Sequence, residues 1–265
     1  MSDFFQTVRM ALQACDVDTK LQLTRMASQL ACTLKKQHIL DGIGQPLDAH
    51  HVGRPAQPTL VHPGLLAKRA MGTVEGRKIM MHAIAHIEFN AINLALDAVQ
   101  RFADMPLDYY LDWMRVAEEE AYHFELIRAH LRHLGGEYGD YTAHNGLWEM
   151  AETTAHDVLD RMALVPRVLE ARGLDVTPDI QQKMRHVGDH HAATLLDIIF
   201  KDEVGHVAIG TRWFRYICKE RRLNPSDTFF TLVETHFPRG IDTHVNLDAR
   251  KQAGFSDAEI ERLLA

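Results

Sequence analysis

Apolar residues recur at helical spacing over most of the chain, and strand-type alternation is nearly absent. From residue 77 to 222 the pattern is that of long helices, with breaks at ADMP (103–106), GGEYGDYTAHNG (135–146), RGLDVTP (172–178) and Gly188. Four long helices are the simplest count. Gly and Pro concentrate in residues 41–76, which read as an irregular connector between a short N-terminal helical region and the helical core. Thr177 before Pro178 has the residue types of an N-cap and first helical position, and Ser256 with Glu259 those of a capping box opening a last short helix. The pattern predicts an all-α chain: an N-terminal helical extension and connector (1–76), a helical core (77–222) and a C-terminal helical extension (223–265).

Three carboxylates fall in unusual places within these helices. Around Glu203, the positions that share its helical face are Leu195, Leu196, Ile199, Phe200, Val207 and Gly210, with His206 one turn on. In VAEEEAYHFEL (116–126), Glu120 shares its face with Trp113, Val116, Ala117, Phe124 and Ile127, and His123 follows one turn later. Glu118 and Glu119 fall on more polar faces. Glu88 is flanked in the same way by Met81, Ile84, Ala85, Ala91, Ile92, Ala95 and Val99. Each of the three acids is centred on an otherwise apolar stripe.

Carboxylates buried without partners are protonated or destabilise the fold, whereas a cluster around divalent cations stays ionised. A metal site in a helix bundle takes one Glu from each of two helices and a Glu-x-x-His from each of the other two. Glu88 and Glu120 stand at similar distances on either side of the short turn at 103–106, so one helix up and the next down bring both to one level. Glu170 stands almost as far ahead of Glu203 as Glu88 does ahead of Glu120, and is the matching acid of the second half. That match requires 172–178 to be an in-line break, with the chain reversing near Gly188. A hairpin at 172–178 would leave Glu170 at a helix end, with Glu152 and Asp157 as the alternative ligands.

Composition narrows the chemistry further. The 265 residues are 46% hydrophobic, enough for a generous core, and carry a net charge of −7. That charge argues against general nucleic-acid affinity, and the basic run RWFRYICKERR (212–222) reads as a solvated helix end. The apolar runs are short and the first residues lack the charged and apolar regions of a secretory signal, so no membrane partner and a cytoplasmic location are expected. Cys15, Cys32 and Cys218 are scattered without a CxxC pair, so neither a disulfide framework nor a cysteine zinc site is indicated. The 17 histidines favour metal chemistry through nitrogen and oxygen donors.

The set Glu88, Glu120-x-x-His123, Glu170 and Glu203-x-x-His206 resembles the ferritin-like diiron-carboxylate superfamily over roughly residues 77–222. AHIEFNAINLALD (85–97), LVPRVLEARGLDVTP (164–178) and DEVGHVAIG (202–210) resemble a bacterial ferritin-like family similar to the tRNA-modifying diiron hydroxylases. The resemblance implies a ferritin-like four-helix bundle, two iron ions held by those six side chains, and oxygen chemistry. Manganese, or one iron and one manganese, suits the same ligands. It also implies that Asp202 accepts a hydrogen bond from a ligand imidazole and fixes its tautomer. The activity implied is O2-dependent hydroxylation or oxidation of a small-molecule or modified-nucleoside substrate, with an electron donor as partner, tRNA as one candidate substrate, and a monomer or homodimer. A ferroxidase or iron-storage role is the alternative.

Plainer roles are expected for several neighbours. Glu170 could instead pair with Arg167 or Arg172 at a helix end. His82 and His86 lie off the Glu88 face, and the adjacent pairs His50–His51 and His190–His191 point their rings apart. Trp113, Phe124, Phe200 and Phe214 are expected to fill the interior, and Tyr122 to pack in the core.

Overall fold

The computed structural model describes residues 3–37, 52–67, 69–241 and 244–264. The regular structure of the described residues is helical, and no strand occurs among them beyond an isolated bridge between Leu60 and Ala143. The chain is all-α. It forms two compact units, Met1–Glu149 and Met150–Ala265, whose border falls within the span 77–222.

In the first unit, α1 (Asp3–Gln13) and α2 (Val17–Gln37) pack together, and α1 also lies against α3 (Val74–Arg101). Lys20 of α2 is fully buried and closes the end of α1, donating from Nζ to the carbonyls of Ala11 (2.7 Å) and Leu12 (3.0 Å). Burial lowers its pKa to about 7. The expected connector is irregular where it is described; residues 38–51, with His50 and His51, lie outside the described residues.

Thr73 caps α3 by accepting from Gly76 N at 3.0 Å. The helix ends at Arg101, and α4 (Leu107–His133) starts after Pro106, so the break at 103–106 is where the pattern placed it. α3 is long and apolar enough to cross a membrane, but 78% of its apolar window is buried, as in the core helix of a soluble protein. α4 ends where Gly136 N reaches back to Leu131 O and Gly135 takes the left-handed φ of 81°. The chain then folds back over α3, inserting Tyr138 against Phe89, Phe124 and His82. α5 (Gly146–Thr153) follows.

The second unit corrects the reading of 172–178. α6 (Val158–Leu164) runs through a π-helical segment (Val165–Glu170) into α7 (Ala171–His186), so RGLDVTP lies inside a helix. Thr177 is therefore no N-cap and Pro178 no helix start. Pro178 has no N–H for the carbonyl of Leu174, and that carbonyl instead accepts from Asn246 Nδ2 at 3.2 Å. A tertiary donor replaces the helical one. Pro166, equally without a donor, opens the π-helical segment, where the helical ladder widens.

The chain reverses at Gly188, as the in-line alternative required, and α8 (His190–Glu220) returns alongside α7 from an Asp189 N-cap. The α9 (Pro225–His236), α10 (Leu247–Gln252) and α11 (Asp257–Leu264) helices complete the unit. At its centre Arg167 is buried, 2.5 Å from Glu259 and ringed by Phe214, Phe229 and Phe255 at 4.2 to 4.7 Å. Glu259 also completes the predicted capping box, taking Ser256 N at 2.9 Å while its own N–H donates to Ser256 Oγ at 3.2 Å.

Candidate metal centre

Glu88 sits mid-way along α3 with its carboxylate buried, as its apolar stripe predicts. Glu120 and His123, one turn apart on α4, are buried as completely, at 1% and 0% exposure. The two helices are neighbours, so these three side chains meet. His123 Nδ1 stands 3.4 Å from Glu88 Oε2 and 3.5 Å from Glu120 Oε2. Those distances exceed the usual length of a charge-assisted hydrogen bond. Ligand atoms of all three lie within 4.8 Å of one another, and the group could hold a metal ion.

The electrostatics point the same way. Burial, with the Glu120 charge beside it, raises the Glu88 carboxyl well above the usual range. Burial opposes a proton on His123, but the Glu120 and Glu88 carboxylates outweigh it and raise the imidazole pKa. Two carboxylates in an apolar wall lack positive charge and draw on protons for it; a divalent cation supplies the same charge. The oxygen and nitrogen donors fit iron, manganese or zinc. Cys15 and Cys32 are free and exposed.

The neighbouring side chains confirm the phase of α4. Glu118 is exposed and accepts from Ser28 Oγ at 2.5 Å, and Glu119 is half-buried. Tyr122 differs from expectation: it is exposed, because one residue's step from the buried His123 turns it to solvent. Trp113, Phe124 and Phe214 are buried as expected, whereas Phe200 is half-buried.

In the second unit, His206 is fully buried on α8 with Nδ1 3.4 Å from Glu203 Oε1, and Glu203 is half-buried. The spacing repeats that of Glu120 and His123. Glu170 closes the π-helical segment, with Oε2 buried. Its expected alternative partner Arg167 is held by Glu259, and Arg172 is exposed. Asp157, an alternative ligand, is engaged elsewhere: it caps α6 through Leu159 N (2.8 Å) and pairs with Arg221 (2.6 Å). Glu152 and Asp202 are half-buried, and His190 and His191 are exposed.

A set of polar groups that the apolar pattern did not reveal runs along α3: His82, His86, Asn90, Asn93, Asp97 and Gln100 are all buried. Their spacing of three and four is itself helical, and that periodicity of polar residues was the available signal. His82 Nε2 accepts from Gly139 N at 3.0 Å, and His86 Nδ1 lies 2.9 Å from the Tyr138 hydroxyl.

Comparison with known proteins places the whole arrangement in one family. Residues 13–261 match the model of a family described as "Protein of unknown function (DUF455)", a span that includes all six candidate donors. An uncharacterized protein of Haemophilus influenzae is 49% identical over 214 residues, covering 78% of this chain and 74% of the relative. No solved structure matches the chain.

Proposed function

We propose that this chain, which belongs to the DUF455 family, is a dimetal-carboxylate oxidoreductase that uses dioxygen to hydroxylate or otherwise oxidise an organic substrate. The observation that carries the reading is the buried trio Glu88, Glu120 and His123, whose ligand atoms lie within 4.8 Å of one another.

In this reading α3, α4, the rod from α6 through α7, and α8 assemble as a ferritin-like four-helix bundle. Glu88, Glu120 and His123 supply one set of ligands, and Glu170, Glu203 and His206 the other. Support comes from the repeated Glu-x-x-His and from the near-equal spacing of Glu88 to Glu120 and of Glu170 to Glu203. When bound, a pair of iron ions, or manganese in place of one or both, supplies the electrons that activate dioxygen. The carboxylates balance the cations' charge, and each imidazole adds a neutral nitrogen. Around Glu120 the buried Val116, Ala117, Phe124 and Ile127 exclude water; Ile199 and Val207 do the same near Glu203. Asp202 acts as an acceptor that orients a ligand imidazole. The substrate class is a small molecule or a modified nucleoside, tRNA included, with a separate electron donor.

Metal analysis of protein expressed with iron tests the reading. Close to two transition-metal ions per chain are expected, with Glu120→Ala and His206→Ala losing them while helical circular dichroism persists. Unchanged metal content in both variants would overturn it. If the loaded protein instead oxidises excess ferrous iron and accumulates ferric mineral, the ferroxidase reading takes its place.

A further inference from the structure

His86 and Asn90 are one turn apart on α3 and share a face, and Glu88 lies about 200° around the helix from each. With Arg69 and His144 they line a pocket within the first unit, walled by Ile79, Ala83 and Leu147. Its polar atoms are unevenly matched. Asn90 is buried, and its Nδ2 donates to His86 O at 2.9 Å while lying 3.0 Å from His86 Nε2. Those two contacts fix the amide's orientation, because turning it over would set two carbonyl oxygens face to face. Asn90 Oδ1 then accepts no hydrogen bond among the described residues.

A buried acceptor without a donor is costly and calls for a partner. His86 is not that partner: its Nε2 lies between the amide N–H and the His144 carbonyl (3.2 Å), its Nδ1 faces the Tyr138 hydroxyl, and burial keeps the ring neutral. The lining carries the opposite need as well. Arg69 is exposed, and among the described residues no Asp or Glu lines the pocket and no carboxylate pairs with its guanidinium. The lining thus combines an exposed cation, a buried residue with an unmet acceptor, and apolar side chains.

We propose that this pocket binds a small organic acid with an apolar body, its carboxylate pairing with Arg69 and a hydroxyl or amide N–H donating to Asn90 Oδ1. The donors Glu88, Glu120 and His123 take no part, so binding here is separate from metal binding. Mandelate, phenylacetate and benzyl alcohol share one body and differ by the groups in question.

Titration followed by the histidine ring NMR signals of the full-length protein reads the binding. Mandelate is expected to shift the His86 and His144 resonances, with phenylacetate and benzyl alcohol each bound about tenfold more weakly. In Arg69→Gln, mandelate falls to the affinity of benzyl alcohol; in Asn90→Leu, it falls to that of phenylacetate. Arg69 is exposed, so its variant keeps the fold should Asn90→Leu unfold. Absence of any shift with mandelate, or mandelate affinity unchanged in Arg69→Gln, overturns the proposal.

Discussion

Asn246 donates from Nδ2 to the carbonyl of Leu174 at 3.2 Å, and Leu174 carries the acceptor that Pro178 deprives of its helical donor. The same side chain caps α10 through Oδ1 and Ala249 N, at 3.2 Å. A proline in the middle of α7 is thereby tolerated. Asn246→Ala is expected to cost about 1–2 kcal/mol. In a Pro178→Ala background the restored amide N–H satisfies Leu174, so the cost falls by about 0.5–1 kcal/mol. A double-mutant cycle by urea unfolding measures this coupling; additive effects would contradict it.

Gly210 of α8 faces Pro166, and a Cβ there would lie 2.3 Å from Pro166 Cβ and Cγ. The proline ring is rigid and anchored in the π-helical segment, so Gly210→Ala pushes α8 and that segment apart. The overpacking cost of about 1–3 kcal/mol exceeds the roughly 1 kcal/mol gained in helix propensity. Gly173 in α7 has open space where a Cβ would go. Thermal melts should show Gly210→Ala below wild type and Gly173→Ala above it.

Lys20 makes stability depend on alkaline pH. Its folded pKa is about 7, against roughly 10.4 in an unfolded chain. Below pH 7 both states hold the proton and the slope is zero. Between these values the unfolded chain binds more protons, so unfolding free energy rises with pH. The neutral amine keeps two N–H groups for the carbonyls of Ala11 and Leu12. Denaturant melts of wild type from pH 7 to 10 should show this rise, on the order of a few kcal/mol, and Lys20→Met should lack it.

Glu120→Gln should act on His123 without metal and on metal binding with it. Without metal it removes a carboxylate charge that, with Glu88, holds a proton on the imidazole against burial, so the His123 pKa falls. With metal it removes a ligand, and the stabilisation conferred by added iron or manganese is lost. NMR titration of stripped protein and calorimetry of loaded protein check the two effects; an unchanged His123 pKa would refute the first.

Local periodicity alone determined that the chain is helical, where α3, α4 and α8 run, and that Glu88, Glu120 and His206 face inward, because a 3.6-residue repeat fixes each side chain's phase. The Ser256–Glu259 capping box was equally legible, because both of its bonds lie within one helical turn. Tertiary structure decided the rest. Pro178 reads locally as a helix start, and only Asn246, far downstream in the C-terminal extension, makes it an interior residue. Arg167 reads as a partner for Glu170, and only α11 draws it to Glu259. The buried polar row of α3 gains its meaning from Tyr138 and Gly139, which a loop returns to it. A residue's phase on its helix is set by its neighbours in sequence. Its hydrogen-bond partner and its charge are set by whatever distant segment the fold brings against it.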